Sequence, residues 1–281
     1  MNYHNIDWND VWTEQMKRHH ESGNRKESTS IWEEKESAKR FWEMAQRDNR
    51  KRSNDIISSL HIKPESRVLD IGAGPGTLAI PLAEKVKHIT AVEPAMGMIE
   101  VLEEKIAEYG YSNISIVKKK WEDIDLSHDL DGPYDVIIAS FSLSMPDIRK
   151  AIEDMQAVSC GYIYLYWFAG DRPWDRYARE IWPKLHGNEY SIMPKCDVLY
   201  NVLYLMGIYP HMETSTLGHT EVYPTLDDAM KRLSNHFSIV NDEQKAILEQ
   251  YFEENLKIED TGYVHDAGST RVKMWWNTQE K

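Results

Sequence analysis

The stretch VLDIGAGPGTLAIPLA, residues 68–83, sets glycines at 72, 74 and 76 directly after an apolar run that contains Asp70. Glycine lacks a Cβ, so a turn of this kind brings backbone N–H groups close to a ligand where the chain bends sharply. A dinucleotide-binding turn reads GxGxxG, its third glycine permitting close helix–strand packing beside the pyrophosphate. Here Gly72-Ala73-Gly74-Pro75-Gly76 reads GxGxG, and Pro75 removes one N–H that a phosphate would use. A carboxylate follows 21 residues beyond Gly72, at Glu93 in AVEPAMGMIE. It is suited to accept from the vicinal hydroxyls of a ribose. It is equally suited to cap the next helix, with Pro94 at the first helical position, and the two roles are compatible.

Such residues need a scaffold that presents them at one edge. Short apolar runs occur at RVLDI (67–71), HITAVE (88–93), ISIVK (114–118), YDVIIAS (134–140) and GYIYLYWF (161–168). Helix-like segments near 77–86, 96–109 and 146–158 separate them. This alternation predicts right-handed crossovers and an α/β, doubly wound, mainly parallel sheet covered on both faces. The glycine turn then occupies the first strand-to-helix connection, where ligands bind in such sheets. Residues 1–60 read as an N-terminal helical flap, with a solvated connection at KRHHESGNRKES, and 61–281 as the main domain. A cap is expected at about 171–207, its helix ending near Gly207. A strand at 208–217, helices opened by Thr225 and Asn241, and a last strand at 269–276 complete the reading.

Four stretches in order, VLDIGAGPGTLAIPLA, AVEPAMGMIE, IVKKKWEDID and YDVIIASFSLSM, resemble the motifs of the class I S-adenosylmethionine-dependent methyltransferases. The resemblance spans residues 66–168 and extends more loosely to RVKMWW. It implies a Rossmann-like seven-stranded sheet and S-adenosylmethionine as cofactor, with S-adenosylhomocysteine as product. It would set Asp70, Gly72, Ala73, Gly74 and Gly76 against the methionine part and ribose, Glu93 at the ribose hydroxyls, and Pro94 and Met98 beside the adenine. Where relatives carry a Gly-Asp-Ala-like turn this chain has Lys119, Lys120 and Trp121. Glu122 or Asp123 is then expected to accept from the adenine amino group, with the Trp121 backbone N–H reaching the ring. Ser140, with Phe141 and Ser142, would line the methyl-transfer channel; the alternative for the serines is to cap the helix after Pro146. A sulfonium already carries an activated methyl, so no particular catalytic base is demanded.

Composition narrows the partners. The chain of 281 residues carries 33 Lys+Arg against 46 Asp+Glu, a net charge of −13, which disfavours a phosphate-backbone partner. Cys160 and Cys196 are far apart and form no CxxC, so neither a disulfide framework nor a zinc ribbon is expected. The N-terminal stretch has no apolar h-region and no window approaches a membrane span. The expectation is a soluble cytoplasmic methyltransferase acting on a small molecule, without metal. The sequon at Asn113 is read as accidental. His186, His211, His219 and His265 have no metal-binding spacing. Trp167, Phe168, Trp174, Tyr177, Trp182 and Tyr190 either wall a substrate or form the core of the cap. Arg172, Arg176 and Arg179 either grip an acidic substrate or form pairs, and EDTG at 259–262 reads as a turn. Two other classes stand beside this reading: a non-catalytic cofactor-binding protein and a dinucleotide-dependent oxidoreductase.

Overall fold

The computed structural model describes residues 6–22, 32–172, 175–218, 220–260, 262–266 and 268–280. Trp174, His219, Thr261 and residues 23–31, which include 23–28 of the expected N-terminal connection, lie outside the described residues; residues 17–21 of that connection instead continue the first helix, Trp8–Glu21, whose His19 is buried. Two helices come first, α1 (Trp8–Glu21) and α2 (Lys35–Ser58). The alternating region follows: β1 (Arg67–Ile71), α3 (Ala79–Ala83), β2 (His88–Val92), α4 (Met96–Tyr109), β3 (Ile114–Val117), β4 (Tyr134–Ser140), α5 (Ile148–Val158) and β5 (Ser159–Phe168). Next are α6 (Asp175–His186), α7 (Cys196–Leu205), β6 (His211–Leu217), β7 (Thr220–Tyr223), α8 (Leu226–Leu233) and α9 (Asp242–Asn255). The chain ends in β8 (Lys257–Glu259), β9 (Gly262–Asp266) and β10 (Ser269–Asn277).

Seven strands form one sheet in the order β3-β2-β1-β4-β5-β10-β6. Strands β3, β2, β1, β4 and β5 pair in parallel, as βαβ crossovers require. The order reverses between β1 and β4, so the connections leaving these two strands emerge side by side. In β1 every residue after Arg67 is buried, because helices cover both faces of the sheet. On one side Val68, Ile89, Val136 and Ile138 pack with Leu78, Leu82, Ile57 and Leu60. Another cluster joins Ala73, Ala91, Ala95, Met98 and Leu102 to Ala38 and Trp42 of α2. Truncating a fully buried leucine here, such as Leu82, costs about 2–5 kcal/mol.

Contacts divide the chain into two units: 26–167, 201–212 and 273–281 in the larger, and 1–25, 168–200 and 213–272 in the smaller. Of the two helices among the described residues of the segment 1–60, α1 falls in the smaller unit and α2 in the larger. The smaller unit has its own core, in which Trp182, Tyr223, Phe237, Leu248 and Phe252 are nearly inaccessible. It also holds a three-stranded antiparallel sheet, β7-β9-β8, that periodicity alone does not announce. These strands are 3–5 residues long, too short to show alternation clearly. Of the expected turn at EDTG, Glu259 ends β8 and Gly262 opens β9, the two lying opposite each other. Thr225 and Asn241 cap α8 and α9, accepting from Asp228 N at 3.1 Å and Gln244 N at 2.8 Å. Gly207 takes the left-handed conformation, φ +74°, just beyond α7.

Candidate functional site

The turn after β1 is fastened to the end of β2. Gly72 N and Ala73 N both donate to the Val92 carbonyl, at 2.8 and 3.1 Å. The next residue, Glu93, turns its carboxylate back onto the glycines: Oε2 accepts from Gly74 N at 2.8 Å and Oε1 from Ala95 N at 2.9 Å. Each oxygen thus holds one backbone donor and keeps acceptor capacity for another. Gly72, Gly74 and Gly76 all have positive φ, at 71°, 57° and 87°, a region costly for other residues. At Gly72 a Cβ would also lie 2.3 Å from Ser142 Cβ. Ser142, in the connection leaving β4, donates from Oγ to the Ile71 carbonyl at 2.5 Å. The switch point is therefore a direct contact between the β1 and β4 connections.

Electrostatically this floor is acidic. Asp70 is 2 % exposed, and its Oδ2 has no hydrogen-bond partner. Burial first, and the charge of Glu93 second, push the Asp70 carboxyl up to about 7. Burial also raises Glu93, opposed by the N–H groups of Ala95 and Gly74, while the charge of Glu33 pushes the same way as burial. A buried carboxylate without a partner is costly, and a ligand that brings a positive charge or a donor relieves that cost. A side chain at Gly74 would meet only Met98 Sδ, 3.9 Å away, so the cradle is open at its middle glycine. The helix after the turn, α3, is five residues long, little support for a pyrophosphate at its N-terminus.

The remaining sequence candidates are distributed as follows. Pro94 precedes the helix start rather than occupying it: α4 begins at Met96 and its N-cap is Ala95, which has no side-chain cap bond. The capping alternative for Glu93 is thus corrected, because its carboxylate serves the turn instead. Met98 is 4 % exposed and packs with Ala73 and Ala95. The Trp121 ring is buried against α5, its indole donating to the Ala151 carbonyl at 3.1 Å. Glu122 and Asp123 are exposed on the short turn that Trp121 begins. Ser140 ends β4, opposite Tyr166 of β5. The helix after Pro146 is capped by Asp147, which accepts from Lys150 N at 3.0 Å, so the serines do not fill that role. Ser142 and Glu33 carry contacts that sequence reasoning undervalued. The signal for Ser142 was Gly72, whose missing side chain leaves it room.

In the smaller unit the arginines are engaged internally. Arg172 and Asp175 form a buried pair, with Nη2 and Nε at 2.9 and 3.1 Å from Oδ1, and the Tyr190 hydroxyl donates to the same oxygen at 2.9 Å. Arg179 holds Asp171 through two bonds of 2.6 and 2.7 Å. Trp182 and Tyr190 are buried in this unit's core, with Tyr177 packed against it. His186 is bonded to the Phe237 carbonyl at 2.8 Å, and His211 stacks on Trp275. Phe168 and Arg176 belong to the segment 168–200 of this unit, and Trp167 is buried at the end of β5 in the larger one.

A parallel sheet whose switch point carries a glycine turn and a carboxylate turned toward it defines a Rossmann-like nucleotide-cofactor protein. Residues 68–159 match the family model of a methyltransferase domain, in line with the motifs that resemble the class I S-adenosylmethionine-dependent methyltransferases. S-adenosylmethionine is the cofactor of that domain. Among curated proteins, the chain is 28% identical over 113 residues to an uncharacterised protein of Haemophilus influenzae, covering 40% of this chain and 41% of that one. It is 28% identical over 102 residues to a mitochondrial ribosomal RNA small subunit methyltransferase of Arabidopsis thaliana, covering 35% and 26%. The chain thus spans well under half the length of these relatives. The fold resembles that of the YcgJ protein of Bacillus subtilis, with a TM-score of 0.56, 17% identity, and coverage of 79% of this chain and 97% of that one. No helix among the described residues is long and apolar enough to cross a membrane.

Proposed function

We propose that this protein transfers the methyl group of S-adenosylmethionine to a small-molecule acceptor, from a site floored by Asp70, Gly72, Ala73, Gly74, Gly76 and Glu93. The observation that carries this reading is the Glu93 carboxylate, 7 % exposed and held by Gly74 N and Ala95 N beside the unpartnered Asp70. In this reading Glu93 accepts from the two ribose hydroxyls. Pro94 and Met98 flank the adenine, and Asp70 faces the positively charged methionine end. Trp121 through its backbone N–H, Glu122 or Asp123 at the adenine edge, and Ser140 at the β4 end complete the set. The bound cofactor supplies an activated methyl on a sulfonium. What the chain must add is orientation and exclusion of water, with any proton of the acceptor passing to solvent or a nearby group. The buried Arg172–Asp175 pair and its aromatic neighbours serve as the frame of a cap around 171–207, and residues 1–60 as an N-terminal flap.

A small-molecule acceptor agrees with the net charge of −13, since binding an RNA backbone rests on clustered basic residues. Several relatives carry the name of ribosomal RNA methyltransferases, which makes RNA the competing acceptor. The free thiols, Cys160 exposed and Cys196 half-buried, agree with a reducing, cytoplasmic setting. Incubation with methyl-labelled S-adenosylmethionine and either a small-molecule extract or ribosomal RNA separates the readings. Label in the small-molecule fraction is expected. Label in RNA alone overturns the acceptor, and no label in either favours a binding protein without catalysis. Calorimetry with NADH beside S-adenosylhomocysteine tests the oxidoreductase alternative; only the latter is expected to bind.

A further inference from the structure

Outside residues 68–159 one short piece of chain is built into the same floor. Gly97, in the first turn of α4, has no room for a side chain: a Cβ there would lie 2.6 Å from the Trp32 carbonyl oxygen, 2.7 Å from that of Glu33 and 2.7 Å from the Glu34 carbonyl carbon. All three are backbone atoms, so the obstruction cannot be relieved by a side-chain rotation. The Glu33 carboxylate accepts from Met96 N at 3.1 Å, satisfying one of the donors that the start of α4 leaves open and setting negative charge at its positive end. Trp32 lies edge-on to Phe41, 5.4 Å between ring centres, and both pack on the cluster that contains Ala73, Ala95 and Met98. Lys35 fixes the segment from the other side through Glu100 and Glu104, at 3.4 and 2.5 Å.

We infer that the turn Trp32–Glu34 is a wall of the adenosine-binding site, with Glu33 a positioning residue for the Glu93–Met96 loop. The inference rests on the proposed cofactor site and adds to it a segment more than 30 residues upstream of the glycine turn. The physical link is continuous. Glu33 holds Met96 N, Ala95 N holds Glu93, and Glu93 holds Gly74 N. Ala95 in that chain also packs in the cluster that Trp32 covers. Loss of the Trp32–Glu34 backbone contact frees the start of α4, and with it the loop that orients the ribose carboxylate.

The test uses the full chain and S-adenosylhomocysteine as the probe. In hydrogen–deuterium exchange of the wild-type protein, the probe is expected to slow exchange at residues 32–35 together with residues 93–98. Protection at 93–98 with none at 32–35 overturns the wall while leaving the cofactor site intact. Absence of protection at 93–98 overturns the cofactor site itself, and the wall with it. By calorimetry, Gly97→Ala is expected to weaken the probe about tenfold and Glu33→Ala about fivefold, the size of a helix-terminus carboxylate contact. Glu33→Gln, which keeps an acceptor for Met96 N, is expected to recover at least half of the loss on a logarithmic scale. Wild-type affinity in both Gly97→Ala and Glu33→Ala, with binding lost in Glu93→Ala, rules the wall out. Equal losses in Glu33→Ala and Glu33→Gln remove the positioning bond from the account.

Discussion

Each unit of the molecule buries an aspartate, and the two are treated in opposite ways. Asp175 in the smaller unit is fully buried, yet it lies below the usual carboxylate range: burial pushes it up, and the charge and hydrogen bonds of Arg172, with Tyr190, more than reverse that push. Asp70 in the larger unit is equally hidden, has one oxygen with no partner, and is pushed up to about 7 by burial and by Glu93. A buried carboxyl that is paired serves the frame, and in the proposed cofactor site the one left without a partner is where a bound ligand would supply it. The linkage signs differ accordingly. Stability from Asp175 is present above its unfolded pKa and is lost as pH falls through its lowered folded value. Asp70, raised in the fold, contributes stability below its unfolded pKa, and that contribution is lost as pH rises through about 7.

The widest break in this contrast comes from removing the partner of the paired aspartate. Arg172→Ala is expected to destabilise the protein by about 3–5 kcal/mol, because it leaves Asp175 buried and uncompensated; urea unfolding reads this directly. An unchanged midpoint would make the pair dispensable to the frame. Glu93→Ala comes next, with a loss of S-adenosylhomocysteine affinity of about a hundredfold, measured by calorimetry, since it removes an ionic acceptor and orphans two backbone donors. Asp70→Asn sharpens the comparison through pH. The wild-type melting temperature is expected to fall relative to the variant between pH 5 and pH 8, in the window set by about 7. Over the same range wild-type affinity for S-adenosylmethionine is expected to rise with pH as Asp70 ionises, and this rise should vanish in Asp70→Asn. Parallel pH curves for the two proteins would take Asp70 out of the site. The smallest effect is expected at Glu122→Ala: the side chain is exposed, so affinity should change by only about two- to threefold. A tenfold loss would instead anchor the adenine edge there.

Much of the larger unit was legible because its signals are local. The runs at 67–71, 88–93, 114–118, 134–140 and 161–168 lie within a few residues of β1 to β5, since buried parallel strands read as continuous apolar segments between amphipathic ones. The glycine turn and Glu93 were readable as a pair because a βαβ unit has a nearly fixed length. The smaller unit was less legible. Its three short strands left no periodic trace, and its arginines and aromatics read equally as a substrate wall or as a core. The fold resolves Arg172 as paired with a buried aspartate, Arg179 as paired with Asp171 at the surface, and Trp182 as fully buried. Trp121 was singled out for its position in the chain, but the direction of its ring toward α5 depends on a contact with Ala151, 30 residues away.

The amino-acid sequence by itself determined the alternating α/β order, the glycine turn after the first strand, the acid after the second, and through them the resemblance to methyltransferases. These follow from apolar period, turn chemistry and spacing, all of which act over short stretches of chain. Only the tertiary structure decided that Ser142 meets the turn at Gly72, that Glu33 binds the start of α4, and that Asp70 is left without a partner while Asp175 is not. Those contacts join residues 71 and 63 positions apart in the first two cases. Their geometry is set by strand order and close packing, which no local pattern encodes.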